Sequence, residues 1–439
     1  MKSQSRVKTI GMLIIAMSII LYGCSSSKKE TTVSPNSEAP NTSAPTEAPA
    51  KTEKASIRLA TAMDPTRLAP YEKVVADWNA KHPETEVVLE NTPYAEYWQK
   101  IQVMTASKTL PDIWVFTPGL GSQWLENDQL LSLSSYIKND SALNIEDYHK
   151  MMIDYMTYKG EVYGFPYDVS AQVLFYNKDL FDQAKLDYPT DKWTFDDVRT
   201  AAKKISELKS DKGKVYGLLS TMAGDFTADS YFRAFGSGLI TKDGKVGLNN
   251  QGGIDTLQYF KDNIDQGITP KPEPGSPTRP IWLNGLAGMM ADGGWAIPSF
   301  KDVPFKWDMV SIPAGPQGQF TTGLGGTYVV SKQTKFPKAS YEFLKYLTST
   351  ESLNQLITQT DAGVPGRISS QAGLSPLLKK YADLISNATP FSAINGTLEM
   401  QEILGKDLEQ VFNGTMSPAD AVKDIELKGN KVLEDKQKK

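Results

Sequence analysis

Three places along this chain bring together side chains whose chemistry asks for a partner. Tyr167-Asp168 puts a ring beside a carboxylate at the entrance to an apolar run containing Val169, Val173, Leu174, Phe175 and Tyr176. A buried carboxylate must find hydrogen-bond donors or cost several kcal/mol, about 2–7 for an uncompensated polar group and more if charged. Asp168 therefore either meets donors within the protein or waits for a ligand hydroxyl. A second acid, Asp225, stands in the loop Met222-Ala223-Gly224-Asp225-Phe226, with Tyr231 and Phe232 soon after. Tyr231 has two readings, a ring offered to a ligand or part of a helix packing face with Phe232 and Phe235. The third place is Trp295, closing Asp292-Gly293-Gly294-Trp295, where the lack of side-chain bulk means that backbone approaches something closely or turns sharply. The Trp295 indole at the end of that turn reads either as an apolar face open to a ligand or as a core residue.

Paired acids with aromatic platforms also describe a glycosidase cleft, so Asp168 and Asp225 keep that alternative open. Other enzymes have less to build on. His82 and His149 are the only histidines and read as solvated surface residues, which leaves a Ser-His-Asp triad or a histidine metal cluster without material. Gly323 to Gly326 lacks the Lys-Ser/Thr that follows in a phosphate-binding loop. The expectation is a protein with no catalytic residues, no metal and no cofactor.

The elements that must position these groups alternate. Ile57 to Thr61 reads as a strand, and Asp64-Pro65 as a helix start before Leu68, Tyr71, Val74, Val75 and Trp78 at helical spacing. Val87-Val88-Leu89 is the next strand, Tyr94, Tyr97, Ile101 and Met104 lie on a helix, and Ile113 to Phe116 is a third strand. This order builds an open parallel sheet, which binds ligands at the carboxyl ends of its strands. The loops 62–67 and 116–121 follow as candidate sites, with Asp64, Arg67, Phe116 and Thr117 as the residues to watch. Trp114, inside its strand, reads as core. Thr194 and Asp197 resemble a capping box ahead of Val198, Ala202, Ile205 and Leu208.

Lys2, Arg6 and Lys8 precede an apolar stretch from Ile10 to Leu21, too short to span a bilayer and of the length of a signal-peptide core. Its end, Leu21-Tyr22-Gly23-Cys24, resembles the bacterial lipobox, which implies cleavage after residue 23 and lipidation of Cys24, the only cysteine. No disulfide or cysteine metal site then remains. Residues 25–55 hold one large aliphatic, Val33, and no aromatic, so they cannot repay their ordering entropy and read as a solvated tether. Its length favours a Gram-positive cell wall, with a periplasmic lipoprotein as the alternative. Removing residues 1–23 takes three of the 47 basic groups and leaves 44 against 51 acidic, a net charge of −7. Nucleic acid is an unsuitable partner for such a surface.

The run GFPYDVSAQVLFYNKDLF, with Pro189 and Trp193-Thr194-Phe195 after it, resembles the "G-x-P-x-D … x-Y-N-K-D-x-F … P-x-T-W-x-E" stretch of the family 1 extracellular solute-binding proteins, the sugar-binding subunits of ABC importers. Pro111-Asp112-Ile113, the run from Gly285 to Trp295, and Thr321 to Val330 resemble further family motifs, in the same order. The helix with Ala339, Phe343, Leu344 and Leu347 and the turn Gly363 to Arg367 continue the likeness.

The resemblance implies an α/β fold of the two-lobed, periplasmic-binding-protein-like type II. Residues 56–166 and 328–357 would form the N-terminal lobe, and residues 167–327 and 358–439 the C-terminal lobe. Hinges would lie near 164–174, 321–328 and 355–363. It implies Trp295 flat against a sugar ring, contacts from Asp168, Asp225, Tyr231 and Tyr167, and Arg367 and the Gly326 amide turned to the ligand. The partners implied are a carbohydrate and the transmembrane subunits of an ABC permease, with a monomer held at the membrane only by lipid. A glycosidase and a binder of a non-sugar solute are the two rivals.

Overall fold

The alternating pattern at the start of the chain does produce parallel strands. The computed structural model describes residues 54–219, 222, 227–271, 278–391 and 396–437, so Cys24, the leader, most of the tether and Asp225 lie outside the described residues. Strand β1 (Ala55–Thr61) pairs in parallel with β2 (Thr85–Asn91) from Ala55↔Thr85 to Thr61↔Asn91, and on its other side with β3 (Ile113–Phe116). A short hairpin of β4 (Thr157–Tyr158) and β5 (Glu161–Val162) stands apart. The first sheet is completed by β6 (Gly164–Pro166) and β12 (Thr327–Val330), both antiparallel to their neighbours, in the order β2-β1-β3-β12-β6.

Helix α1 (Pro65–Lys81) lays the buried stripe Tyr71, Val74, Val75 and Trp78 on this sheet. Helix α2 (Tyr94–Ala106) buries Tyr97 and Ile101, but its first-turn Tyr94 stays 53% exposed. Helix α3 (Pro118–Glu126) follows β3 directly.

The second sheet is built on β7 (Asp168–Asn177), whose ten residues are all buried. A strand covered on both faces reads as a nearly continuous apolar run, which is why this segment stands out in the sequence. Around it lie β8 (Tyr216–Leu219), β9 (Ala287–Gly293), β11 (Thr322–Leu324) and β14 (Thr389–Pro390), in the order β14-β11-β7-β9-β8. Two further strands, β10 (Trp307–Val310) and β13 (Val364–Pro365), also pair with β7. The capping box forms at Thr194, whose hydroxyl accepts from the Asp197 amide at 3.2 Å while Asp197 accepts from the Thr194 amide at 2.8 Å.

Each sheet carries its own core, so the chain is two-lobed. It passes between the lobes at Pro166 to Asp168, at Leu324 to Thr327 and after Ala362, which packs in the first core just before β13 joins the second sheet. The run of low bulk before Trp295 proves to be the wholly buried strand β9 followed by a 3₁₀ turn, Gly294–Phe300.

Of the two histidines, His82 stays at the surface and His149 departs from the solvated reading. His82 stacks on Trp78 at 3.6 Å and places Nδ1 3.0 Å from Glu84. His149 is half-buried with Nδ1 unpartnered, and burial lowers its pKa. Among the described residues no helix is long and apolar enough to cross a membrane, and no group of three acids, histidines or cysteines could hold a metal ion.

Candidate functional site

Two crossings between the lobes meet at Asp168. This carboxylate is 3% exposed; its Oδ1 accepts from the Gly326 amide, and its Oδ2 lies 3.5 Å from the Ser170 hydroxyl. Burial raises its pKa to about 6, against the opposing pull of Arg67 and of these two donors. Of the two alternatives for Asp168, the structure shows the first, donors within the protein, and it adds a cation, Arg67, at the lobe junction. The Gly326 amide is engaged by Asp168 and is not turned to a ligand. Only a glycine fits there, since a Cβ would lie 1.9 Å from Cζ of Tyr167. Tyr167 itself is 8% exposed, its ring 5.0 Å from that of Tyr328.

Arg67 enters from the first turn of α1 and is 6% exposed. Its Nε and Nη2 have no hydrogen-bond partner. Burial alone would lower its pKa, but Tyr71, Tyr167, Asp168 and Tyr328 around it more than offset that, so it stays cationic. The hydroxyls of Tyr71 and Tyr328 are likewise buried and meet no partner but each other, and burial pushes both phenols up, keeping them neutral.

The lobes touch on either side of this cluster. The Trp295 turn packs against α1, and α3 packs against the helix Thr397–Asn413. Trp295 is partly exposed, with its indole laid across Gly293, where a Cβ would come within 2.2 Å of the ring. The turn is stapled to β7 by Tyr381, whose hydroxyl accepts from the amides of Gly294 at 2.9 Å and Ala171 at 3.0 Å and donates to the Ala171 carbonyl at 2.7 Å. At the rim Arg279 binds Asp292 through Nε and Nη2 at 3.2 and 2.8 Å, while its Nη1 faces Asp64 of the first lobe at 3.9 Å. Thr117 is partly exposed at the N-cap of α3.

Three candidates are corrected by their surroundings. Phe116 has no exposed surface: its ring packs edge-on to Trp114 and Trp124 in the first core. Tyr231 is 2% exposed and packs on Phe195 and Phe260 in the second lobe, with only its hydroxyl directed to Gln172 at 3.4 Å. The Arg367 guanidinium stacks on the Tyr148 ring and gives Nε to the Thr348 carbonyl, Nη1 to Asp147 and Nη2 to the Tyr148 hydroxyl. That set of bonds fastens the hinge and engages every nitrogen of Arg367 within the protein, using three of its five N–H groups.

Sequence reasoning missed two residues. Tyr381 gave no signal, because its partners Ala171 and Gly294 are 210 and 87 residues away. Trp98 was hidden by the helical stripe around it. Its indole packs against the cores of both lobes, and its Nε1 has no partner. Three aromatics in α2, Tyr94, Tyr97 and Trp98, with Trp124 beyond in α3, offered the only hint. A groove of about 1080 Å³ lies elsewhere, over the first lobe past Trp78, His82, Phe336 and Tyr346, and of the candidate residues it touches only Arg367.

Comparison with known proteins gives a consistent result. Residues 64–353 match the family described as bacterial extracellular solute-binding protein. A putative binding protein of Brucella abortus (strain 2308) is 23% identical over 400 residues, 86% of this chain and 93% of that protein. An arabinooligosaccharide-binding protein of Bacillus subtilis is 28% identical over 340 residues, 73% of this chain and 75% of its own length. In structure, an ABC substrate-binding protein from Listeria monocytogenes in complex with cycloalternan superposes with a TM-score of 0.81 at 23% identity, covering 87% of this chain and 99% of the other. The GacH receptor of Streptomyces glaucescens, solved unliganded and with acarbose, gives 0.78 at 21% identity, over 87% and 99%.

Proposed function

Because this chain belongs to the bacterial extracellular solute-binding proteins, we propose that it captures an oligosaccharide between its lobes and delivers it to the transmembrane subunits of an ABC permease. The observation that carries this reading is Trp295: a partly exposed indole, held on a stapled turn that packs against α1 of the opposite lobe, the helix whose first turn carries the unpaired Arg67. The ring supplies an apolar platform, and Asp168, Arg67, Asp64 and Thr117 supply polar groups from both lobes. Similarity to the arabinooligosaccharide-binding protein supports a carbohydrate ligand.

Capture works by hinge closure at the three crossings, the ligand favouring the closed state through contacts the open state lacks. A micromolar Kd needs only about −8 kcal/mol, within reach of one ring stack and several hydrogen bonds after closure costs. The exported protein is held at the outer face of the membrane through lipid on Cys24, acts as a monomer and uses no cofactor. Calorimetry against arabino- and malto-oligosaccharides, with product analysis of each mixture, tests the reading. Saturable binding without turnover is the expected result. Accumulating reducing ends, or no response to any sugar, would overturn it.

A further inference from the structure

Resting on the sugar-binding reading, a second inference concerns which chemical group the base of the cleft is built to hold. Arg67 Nε and Nη2 are buried there without partners, and beside them the buried hydroxyls of Tyr71 and Tyr328 meet no partner but each other. Arg67 is nine-tenths buried, and both tyrosines have no exposed surface. Among the described residues no carboxylate oxygen comes within 4.0 Å of the guanidinium. Asp168 is the nearby acid, but its oxygens are directed to Gly326 and Ser170. The two phenols lie close enough to influence each other's ionisation. If one donates to the other, three donors still remain.

The type of the orphaned groups narrows the ligand. Nε and Nη2 form one edge of the guanidinium, two parallel N–H groups at the spacing of two oxygens on one carbon. A hydroxyl brought to such a set hands its own proton to a phenol oxygen but accepts only two bonds, which leaves part of the donor set unmet. A carboxylate has about four lone-pair sites, brings no donor and cancels a buried charge.

We propose that the base of the cleft recognises a sugar carboxylate, so that the ligand is an oligosaccharide carrying a uronate residue gripped by the Nε–Nη2 edge of Arg67. The Tyr71 and Tyr328 hydroxyls complete its donor set. Trp295 then takes a neighbouring ring, and the acidic group sets the register of the chain in the cleft.

The test is calorimetry on the full chain in detergent with matched pairs of probes: α-1,4-linked trigalacturonate against its carboxyl-reduced galactose trimer, and glucuronate-substituted xylotriose against xylotriose. At least one acid should bind about tenfold or more tighter than its neutral twin, the usual advantage of a charge-assisted fork. Arg67→Gln should remove that preference, and Arg67→Lys, which keeps the charge without the fork, should restore only part of it. Tyr71→Phe, which deletes one donor and keeps the ring, should reduce the preference even if Arg67→Gln does not fold. Equal binding of every acid and its twin, or a preference that survives Arg67→Gln, overturns the inference while leaving the sugar-binding function intact. Silence towards all four probes and the neutral panel overturns both.

Discussion

Asp168 at the start of β7 and Gly326 just before β12 are joined by a hydrogen bond from the glycine amide to Oδ1, across 158 residues of chain. The bond ties together two of the three crossings between lobes. It also explains why residue 326 carries no side chain, since the space a Cβ would occupy is filled by the Tyr167 ring. Gly326→Ala should therefore cost about 1–3 kcal/mol, the usual penalty of overpacking, read as a lower midpoint in a urea melt. A melt superimposable on the wild type would show that Tyr167 moves freely.

Trp295→Ala should weaken binding of the best sugar by about tenfold or more with a melting temperature close to that of the wild type, since the indole is only partly buried. Trp295→Phe should retain part of the affinity. Unchanged affinity in the alanine variant would remove the ring from the site.

Tyr381→Phe keeps the packing of the ring and deletes the hydroxyl that holds the Gly294 and Ala171 amides. Leaving buried amides unpaired costs about 1–3 kcal/mol in stability. Affinity should fall as well, because the turn bearing Trp295 loses its staple. Calorimetry beside thermal melts separates the two effects, and a variant that loses stability but binds as before would make the staple purely structural.

Arg367→Met should destabilise the protein by about 1–3 kcal/mol, because the buried Thr348 carbonyl loses its donor and Asp147, partly exposed and still held by Ser369, loses its ion-pair partner. The pH dependence follows from the same pair. Burial alone would raise Asp147, but Ser369 and Arg367 outweigh it and hold the carboxyl below its usual range. A depressed folded pKa contributes stability above the unfolded value of about 3.9 and loses it as pH falls further. The wild-type advantage over the variant should accordingly shrink below about pH 4. Sugar affinity of the folded variant should stay near wild type, and a specific loss of affinity would return Arg367 to the site.

Asp407, 2% exposed on the helix Thr397–Asn413, is pushed up to about 6 by burial and by the facing Asp424, which Lys428 keeps ionised. A raised carboxyl stabilises the fold below its unfolded pKa and loses that contribution as pH rises through the folded value. Asp407→Asn should raise the melting temperature at pH 8 and match the wild type near pH 4.5. A variant less stable than wild type at pH 8 would mean that the ionised carboxylate is favourably held.

The elements were legible because their signals are local. Helical spacing in α1, the apolar run of β7 and the Thr194–Asp197 cap each lie within about twenty residues of sequence, and the parallel order of the first three strands follows from their alternation with helices. The site was legible in part. Gly293 and Trp295 mark themselves by type and spacing, and Asp168 by a charge set at the head of an apolar strand.

What the sequence by itself determined is therefore the succession of strands and helices, the family it resembles and the residue types available for a ligand. Tertiary structure alone decided which of those residues are spent. Arg67 and Arg367 are both buried arginines near the hinge, yet every nitrogen of Arg367 is engaged, by Asp147, Tyr148 and Thr348, and Arg67 keeps Nε and Nη2 unpaired. Asp147 and Tyr148 lie 220 and 219 residues from Arg367 in the chain. Hydrogen bonding and desolvation depend on the atoms within a few ångströms, and only the closed chain determines what those atoms are.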